Sequence, residues 1–411
     1  MSDAQFMRLA LRLARRAYGL TSPNPMVGAV LVKNAEIIGQ GWHHRAGEPH
    51  AEVEAIRDAQ RRGNSTKGAT LYVTLEPCST HGRTPPCTDA IKAAGIRRVV
   101  VGATDPNPKH RGKAFKILIR AGIKVTVLAE WEGRARRSVR ADPDPARQPR
   151  AQDRAPCQKL ADECARLNEA VNHWIVHRAP FVTVKAAMTL DGKIATADGE
   201  SKWITGDMAR AYAMKLRQGA DAILVGVNTI LTDDPSLTLR PRNAERGMRN
   251  DGKLRRIVLD AMARTPLNAK IVNDEHAALT TIVVGKVAPQ KRVAALARRV
   301  KVITAPTVKS KIENRKSKID LRWLLKKLGR ENVTSLLVEG GGEANASFLL
   351  GGFAQRVTFF YAPKILGGRD ARKAVAGEGV QRLDEIIQLH EVEWRRFGPD
   401  LLLTARVGPA S

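Results

Sequence analysis

Only 4% of the 411 residues are aromatic, and cysteine occurs just four times. Four thiols cannot cross-link a chain this long, which excludes a disulfide scaffold. In a reducing compartment, closely spaced cysteines point instead to metal ligands. The shortage of rings argues against a surface that stacks nucleic-acid bases. No apolar run approaches the ~18 residues of a membrane-spanning helix, and the N-terminus lacks the apolar core of a secretory signal. Its segment MRLALRLARRAYGL (7–20) has the arginine content of a transit peptide. Asp3 precedes that segment and motif residues begin at Asn24, which leaves nothing to cleave. Repeats at solenoid periods are also missing. The reading is a cytoplasmic protein.

Acid is in short supply as well: 69 Lys and Arg against 41 Asp and Glu leave a net charge of +28. Such a surface attracts phosphates. Its distribution is uneven, with +5 between Arg134 and Lys159 and +13 between Lys286 and Arg330. The rest of the chain carries about +10, which suits an enzyme of anionic small molecules better than a reader of nucleic acid. A hydrophobic content of 43% and a charged content of 27% describe a folded chain, and the length corresponds to two or three domains.

Strand patterns at 27–33, 36–44, 69–75, 97–103 and 123–129 alternate with helical ones at 3–19, from His50, from Cys87 and near 112–121. This predicts a layered α/β domain over 1–131. Residues 132–159, rich in Arg, Pro, Asp and Gln without apolar periodicity, read as a linker. A connecting helix is expected over 160–179, with Leu160, Cys164, Leu167, Val171, Trp174 and Ile175 on one face. A second α/β pattern fills 180–411, interrupted by a basic insert at 309–320 that reads as surface.

The strongest local signal is His50-Ala51-Glu52 followed by Cys78 and Cys87. Hydrolytic deamination of an aromatic amine needs water activated near neutral pH, a proton shuttle to the leaving ammonia, and a metal with one open position. Zinc held by one imidazole and two thiolates meets the first and last needs, and an unligated glutamate meets the second. His50, Cys78 and Cys87 are therefore the expected ligands and Glu52 the shuttle. A closed structural site would want a fourth ligand; His81 is the nearby candidate, and Glu52 would then have no role. Deaminases of nucleic-acid bases use Pro-Cys-x-x-Cys, whereas eight residues separate the thiols here.

The string from Thr74 to Cys87 (TLEPCSTHGRTPPC), with GEPHAEVEA upstream and DPNP (105–108) downstream, resembles the deaminase domain of the bifunctional riboflavin-biosynthesis deaminase/reductases. The resemblance implies a cytidine-deaminase-like three-layer domain. It also implies a substrate, a diamino-pyrimidinone bearing a ribosylamino 5′-phosphate. By matching positions Asn24 and His43 line the substrate pocket, and Arg83, Asp105 and Asn107 take the ribose phosphate end. On its own, Asp-Pro-Asn-Pro is also an ordinary turn.

In the second half, Gly340, Gly341 and Gly342 join a strand to a helix, a junction that suits either a phosphate or a tight turn. The segments KAAMTLDGKIAT (185–196), KWIT (202–205), AILVGVNTILTDDPSLTLR (222–240), LLVEGGG (336–342) and YAPKILGG (361–368) resemble the same family's reductase domain. That resemblance implies a dihydrofolate-reductase-like fold and NADPH as cofactor. It places Lys185, Arg217, Asp233, Ser236, Leu237, Arg240 and Glu339 at the substrate. Arg217 and Arg240 are the cations a substrate phosphate needs. An imine accepting hydride needs a carboxyl or ammonium close by, for which Asp233 and Lys185 are both candidates, and Asp233 is taken as the catalytic one. Thr205, Gly226, Val227, Thr229 and Gly340 to Gly342 fall at NADPH. Asp191 and Asp234 are rival carboxylates, each in a turn pair. Zinc and NADPH are thus the expected cofactors, and a phosphorylated pyrimidine the expected partner. A homo-oligomer fits the family. The competing readings are a nucleic-acid deaminase that uses the net charge, and a non-catalytic zinc or nucleotide-binding regulator.

Overall fold

The computed structural model describes residues 1–81, 85–128, 151–239, 254–308 and 318–408. They form two compact units, Met1–His177 and Arg178–Ser411.

The first unit opens with α1 (Asp3–Arg15), capped by Ser2, and a hairpin of β1 (Gly28–Lys33) and β2 (Glu36–Trp42). Asn34 and Ala35 both hold positive φ in the hairpin turn, the geometry that matches the twist of the strands it joins. Then follow α2 (Ala51–Arg61), β3 (Thr70–Leu75), α3 (Cys87–Ala93), β4 (Arg98–Ala103), α4 (Lys113–Arg120) and β5 (Lys124–Val127). The sheet order is β2-β1-β3-β4-β5, antiparallel at the hairpin side and parallel from β3 to β5. Helix α2 lies close on β2. A Cβ at Gly41 would collide with the backbone of Ala51 and Ala55, so the missing side chain sets the approach of the helix that carries His50 and Glu52.

The unit is completed by α5 (Ala151–Leu167) and α6 (Glu169–His177). Two expectations change here. The helix begins at Ala151, inside the span read as linker, and what reads as one helix over 160–179 is two, parted at Asn168. Apolar residues at helical spacing do not by themselves show a one-residue break. Leu160, Ala161 and Cys164 are buried in the core of the first unit. The basic residues 134–150 lie outside the described residues.

The second unit begins with β6 (Phe181–Thr189), β7 (Lys193–Ala195), α7 (Asp207–Gln218), β8 (Ala222–Gly226), α8 (Val227–Asp233) and β9 (Arg255–Leu259). It continues with α9 (Lys270–Asn273), β10 (Thr280–Gly285), α10 (Gln290–Ala297) and β11 (Lys301–Ala305). Next come β12 (Thr307–Val308), β13 (Lys318–Ile319), α11 (Leu321–Arg330), β14 (Ser335–Val338) and α12 (Gly342–Leu349). It ends with β15 (Arg356–Ala362), β16 (Arg372–Lys373), β17 (Leu389–Phe397) and β18 (Asp400–Val407). Nine strands form one sheet in the order β11-β10-β9-β8-β14-β6-β15-β18-β17, parallel through β15 and antiparallel beyond it.

Flanks of the basic insert are ordered: β12 pairs with β13, and Asp320 accepts the Trp323 N–H at 3.0 Å as the N-cap of α11. Strand β17 has no counterpart in the sequence reading. It is an edge strand whose central residues are all exposed, so it shows no apolar alternation, and its partner β18 holds it in place. Among the described residues no helix is long and apolar enough to cross a membrane.

Candidate metal centre and reductase cleft

His50 is the N-cap of α2, Cys87 the first residue of α3, and Cys78 lies in the loop after β3. The chain order strand–loop–helix thus brings two helix N-termini and one loop to a point. The Nδ1 of His50 stands 3.2 Å from the Cys87 Sγ and 3.5 Å from the Cys78 Sγ, and the Cys87 N–H donates to the Cys78 Sγ at 3.2 Å. Their ligand atoms all lie within 4.8 Å of one another, and no other such cluster occurs among the described residues. One imidazole and two thiols are the donor set that suits zinc. The hydrogen bond with Cys87 and the nearby His50 hold the Cys78 thiol far below its ordinary range, at about 4, against the effect of burial. It is poised as a thiolate.

Glu52, two residues into α2, is 3% exposed. Burial, reinforced by the Cys78 charge, raises its carboxyl to about 7. A carboxyl in that range exchanges protons readily at neutral pH. His43 is also buried, which lowers its pKa. Its Nδ1 faces the Pro49 carbonyl at 3.1 Å, which can only accept, so Nδ1 carries the proton. Nε2 then accepts from the Asn24 amide at 3.1 Å. The two residues expected at the pocket therefore orient one another, and the His43 ring packs edge-on against that of His50.

Asp105 and Asn107 take their turn conformation by accepting the N–H groups of Asn107 and Lys109 at 2.8 and 3.0 Å. The loop is held from outside by Glu76, a residue the sequence reading passed over. Its carboxylate accepts the N–H groups of Asp105, Gly112 and Ala114 at 3.0 to 3.3 Å, bridging the loop to the start of α4. A buried acid ending an apolar strand just before Pro-Cys was the available signal. Arg83 lies outside the described residues.

In the second unit, β8, β14 and β6 are adjacent and parallel; Gly226 ends β8, and Glu339 and Gly340 to Gly342 follow the carboxyl end of β14. That edge is where open α/β sheets bind ligands. Glu339 follows β14, and Lys185 lies beside it on β6 with Nζ 3.9 Å from a carboxylate oxygen. Arg217, from the end of α7, forks onto Glu339 at 2.9 and 3.0 Å and donates to the Thr238 carbonyl at 3.1 Å. Burial would raise the Glu339 carboxyl, but Arg217 and Lys185 outweigh it and bring it down to about 2. The resemblance places Arg217 at the substrate; the structure turns its guanidinium fork toward Glu339. Arg240 lies outside the described residues.

Gly226 and Gly341 are the N-caps of α8 and α12, which follow the neighbouring strands β8 and β14. None of Gly340, Gly341 and Gly342 has positive φ, so the tight-turn explanation of the triplet fails. The reason is space. A Cβ at Gly340 would strike Ala344, one at Gly342 would strike the Lys373 carbonyl, and one at Gly341 would meet nothing within 4 Å. That open helix N-terminus fits a phosphate-bearing cofactor such as NADPH. Val227 is buried and Thr229 half-buried in the first turn of α8; Thr205 is buried, its carbonyl accepting from Arg210.

Asp233 ends α8 and accepts from the Ser201 hydroxyl at 3.2 Å. The rival carboxylates serve the backbone: Asp191 accepts the N–H groups of Leu366 and Gly367, and Asp234 that of Lys270. Ser236 and Leu237 follow, Leu237 buried at positive φ. Arg256, 1% exposed on β9, donates to the Ser236 carbonyl at 2.8 Å, to the Ile271 carbonyl at 3.1 Å and twice to Asp274 at 2.5 and 2.7 Å. Arg256 follows Arg255 at the start of β9, and the sequence alone does not show which of the two is buried.

Two family profiles match. The cytidine and deoxycytidylate deaminase zinc-binding region covers residues 1–103, and the RibD C-terminal domain covers 180–403. The chain is 40% identical to the riboflavin biosynthesis protein RibD of Aquifex aeolicus, over 98% of this chain and 97% of that one. It is 36% identical to the Escherichia coli protein of the same name, over 98% and 99%. The solved structure of Acinetobacter baumannii RibD, 30% identical, superposes with a TM-score of 0.78 over 99% of both chains. The N-terminal unit has the cytidine-deaminase-like fold and the C-terminal unit the dihydrofolate-reductase-like fold, with zinc and NADPH as their cofactors. With both domains present along its full length, the chain belongs to the RibD family of bifunctional riboflavin-biosynthesis deaminase/reductases.

Proposed function

We propose that the chain deaminates 2,5-diamino-6-(5-phosphoribosylamino)pyrimidin-4(3H)-one at the first unit. The second unit then reduces the ribosyl side chain of the product, 5-amino-6-(5-phosphoribosylamino)uracil, to ribityl. The observation that carries this is the cluster of His50, Cys78 and Cys87 beside the buried carboxyl of Glu52. Those three side chains would hold zinc, which when bound supplies the Lewis acidity that makes water nucleophilic near neutral pH. Glu52 takes a proton from the attacking water and hands it to the departing amine. Asn24, oriented by neutral His43, holds the pyrimidine. Arg83, Asp105 and Asn107 take the sugar phosphate, with Glu76 keeping the 105–107 loop in place.

In the second unit NADPH supplies the reducing equivalents. The N-termini of α8 and α12 cradle its phosphates at Gly226, Val227 and Gly340 to Gly342, and Thr205 and Thr229 flank it. Lys185 and Arg217 against the carboxylate of Glu339 leave one positive charge in that cluster, which favours an anionic substrate. Asp233, held by Ser201, handles the proton, while Ser236, Leu237 and Arg240 frame the substrate.

Incubation with zinc, NADPH and the diamino-pyrimidinone ribotide, following ammonia and NADPH absorbance separately, tests the whole sequence. Glu52→Ala keeps zinc and loses ammonia release; ammonia release at the wild-type rate would refute the shuttle. Asp233→Asn slows NADPH oxidation and leaves deamination intact. A small phosphorylated pyrimidine, not nucleic acid, is the substrate in this reading, and a filter-binding salt series checks that. The chain acts in the cytoplasm as a homo-oligomer, which light scattering tests.

A further inference from the structure

The helices α5 and α6 lie beyond the zinc-binding-region match, which ends at residue 103, yet both belong to the first unit and α5 packs into its core. Cys164 sits against β4 at Gly102, where a Cβ would collide with its sulfur, and Glu163 pairs with Arg15 of α1 at 3.3 Å. The break between the helices falls at Asn168, which is 3% exposed. Its Oδ1 accepts the Met26 N–H at 2.7 Å and its Nδ2 donates to the Met26 carbonyl at 2.9 Å. The side chain thus makes with Met26 the pair of bonds that a neighbouring strand would make. Met26 is two residues past Asn24, and the next carbonyl, that of Val27, accepts the His43 N–H at 2.9 Å. Asn168 and His43 therefore hold the backbone on which Asn24 is mounted.

We propose that Asn168 is a positioning residue of the deaminase: it fixes the Met26 backbone and, through it, the Asn24 amide at the metal site. The helix pair beyond the basic segment is thereby a working part of the deaminase unit, not a spacer. This rests on the reading of Asn24 as a substrate-pocket residue. No other side chain among the hydrogen bonds of the described residues engages both polar groups of Met26. Met26 is half-buried, and its peptide loses the two bonds that fix its position when Asn168 is replaced.

The test is a double-mutant cycle in the full chain. Asn168→Asp keeps the acceptor for Met26 and replaces the donor by an oxygen facing a carbonyl. Deaminase kcat/KM should fall about tenfold, with zinc content unchanged and NADPH oxidation unchanged when the deaminated ribotide is supplied directly. In an Asn24→Ala background the same substitution should change kcat/KM less than about twofold, because the path it acts through is gone. Asn168→Ser, which leaves room for water at Met26, replaces the Asp variant if zinc content shows that the Asp variant has unfolded. Wild-type kcat/KM in the Asn168 variants, with Asn24→Ala impaired, overturns the proposal alone. So does an undiminished loss in the Asn24→Ala background. Wild-type activity of Asn24→Ala itself overturns the reading of Asn24, and the proposal with it.

Discussion

Replacing Arg256 by methionine removes a guanidinium from the middle of the nine-stranded sheet while keeping a side chain of similar length. Three acceptors are affected. The Ile271 carbonyl retains the Thr280 hydroxyl at 2.8 Å, so it keeps a partner. Asp274 retains the His276 N–H at 3.1 Å, and its side chain is 22% exposed, so water reaches it. The Ser236 carbonyl loses its side-chain donor. Breaking a fully buried ion pair by removing one partner costs roughly 3–5 kcal/mol, and solvent at Asp274 reduces that to about 3 kcal/mol here. For a unit of this size such a loss lowers the melting transition by roughly 6–12 °C. Calorimetry resolves it, because the deaminase unit should melt unchanged. The companion Arg256→Met/Asp274→Leu should recover part of the loss, since removing both partners leaves no unpaired charge. The same substitution loosens the Ser236–Leu237 segment, so NADPH oxidation should slow while ammonia release does not. A transition within about 2 °C of wild type, or no recovery in the double variant, refutes the reasoning.

The cluster at Glu339 has a pH signature. Its carboxyl is depressed from 4.5 to about 2. The stability it contributes is therefore fully present above pH 4.5 and lost as pH falls through that window, about 3 kcal/mol in all. Glu339→Gln should flatten that part of the stability-versus-pH curve of the reductase unit, and an unchanged curve would contradict the pairing with Arg217 and Lys185. At the glycine triplet, Gly341→Ala should raise the KM for NADPH without changing the melting temperature, because its Cβ points into open space. Gly342→Ala, which meets the Lys373 carbonyl, should instead lower the melting temperature. Glu76→Gln should raise the deaminase KM for the phosphorylated substrate more than it lowers kcat, since it frees the 105–107 loop and leaves the metal ligands in place; a purely kcat effect would argue otherwise.

Much of the metal site was legible because its chemistry sits in short contiguous pieces. His50 and Glu52 share one helix start, Cys78 and Cys87 flank one loop, and the side-chain types alone restrict what they can bind. The strands β1, β3 and β4 were legible because burial on both faces makes them continuous apolar runs. The edge strand β17 was not, because its apolar residues are interspersed with charged ones and exposed along its centre, and only its pairing with β18 holds it in place. The break at Asn168 was hidden for a related reason: helical periodicity records which face is buried and not where a backbone bond is exchanged for a tertiary one.

Local pattern and side-chain chemistry, then, determined the two α/β units and the cluster of His50, Cys78 and Cys87 with Glu52 close by in sequence. They also determined the placement of a glycine triplet after a strand. Why two of the triplet positions admit no Cβ, which carboxylates the backbone engages, and what Arg217 faces were decided only by the tertiary structure. Asp191 and Asp234 are indistinguishable from Asp233 in sequence, and only the fold shows the first two engaged by backbone N–H groups. The bonds from Asn168 to Met26 span 142 residues, and those from Arg217 to Glu339 span 122. Contacts of that separation depend on the packing of whole elements, which no local window of sequence encodes.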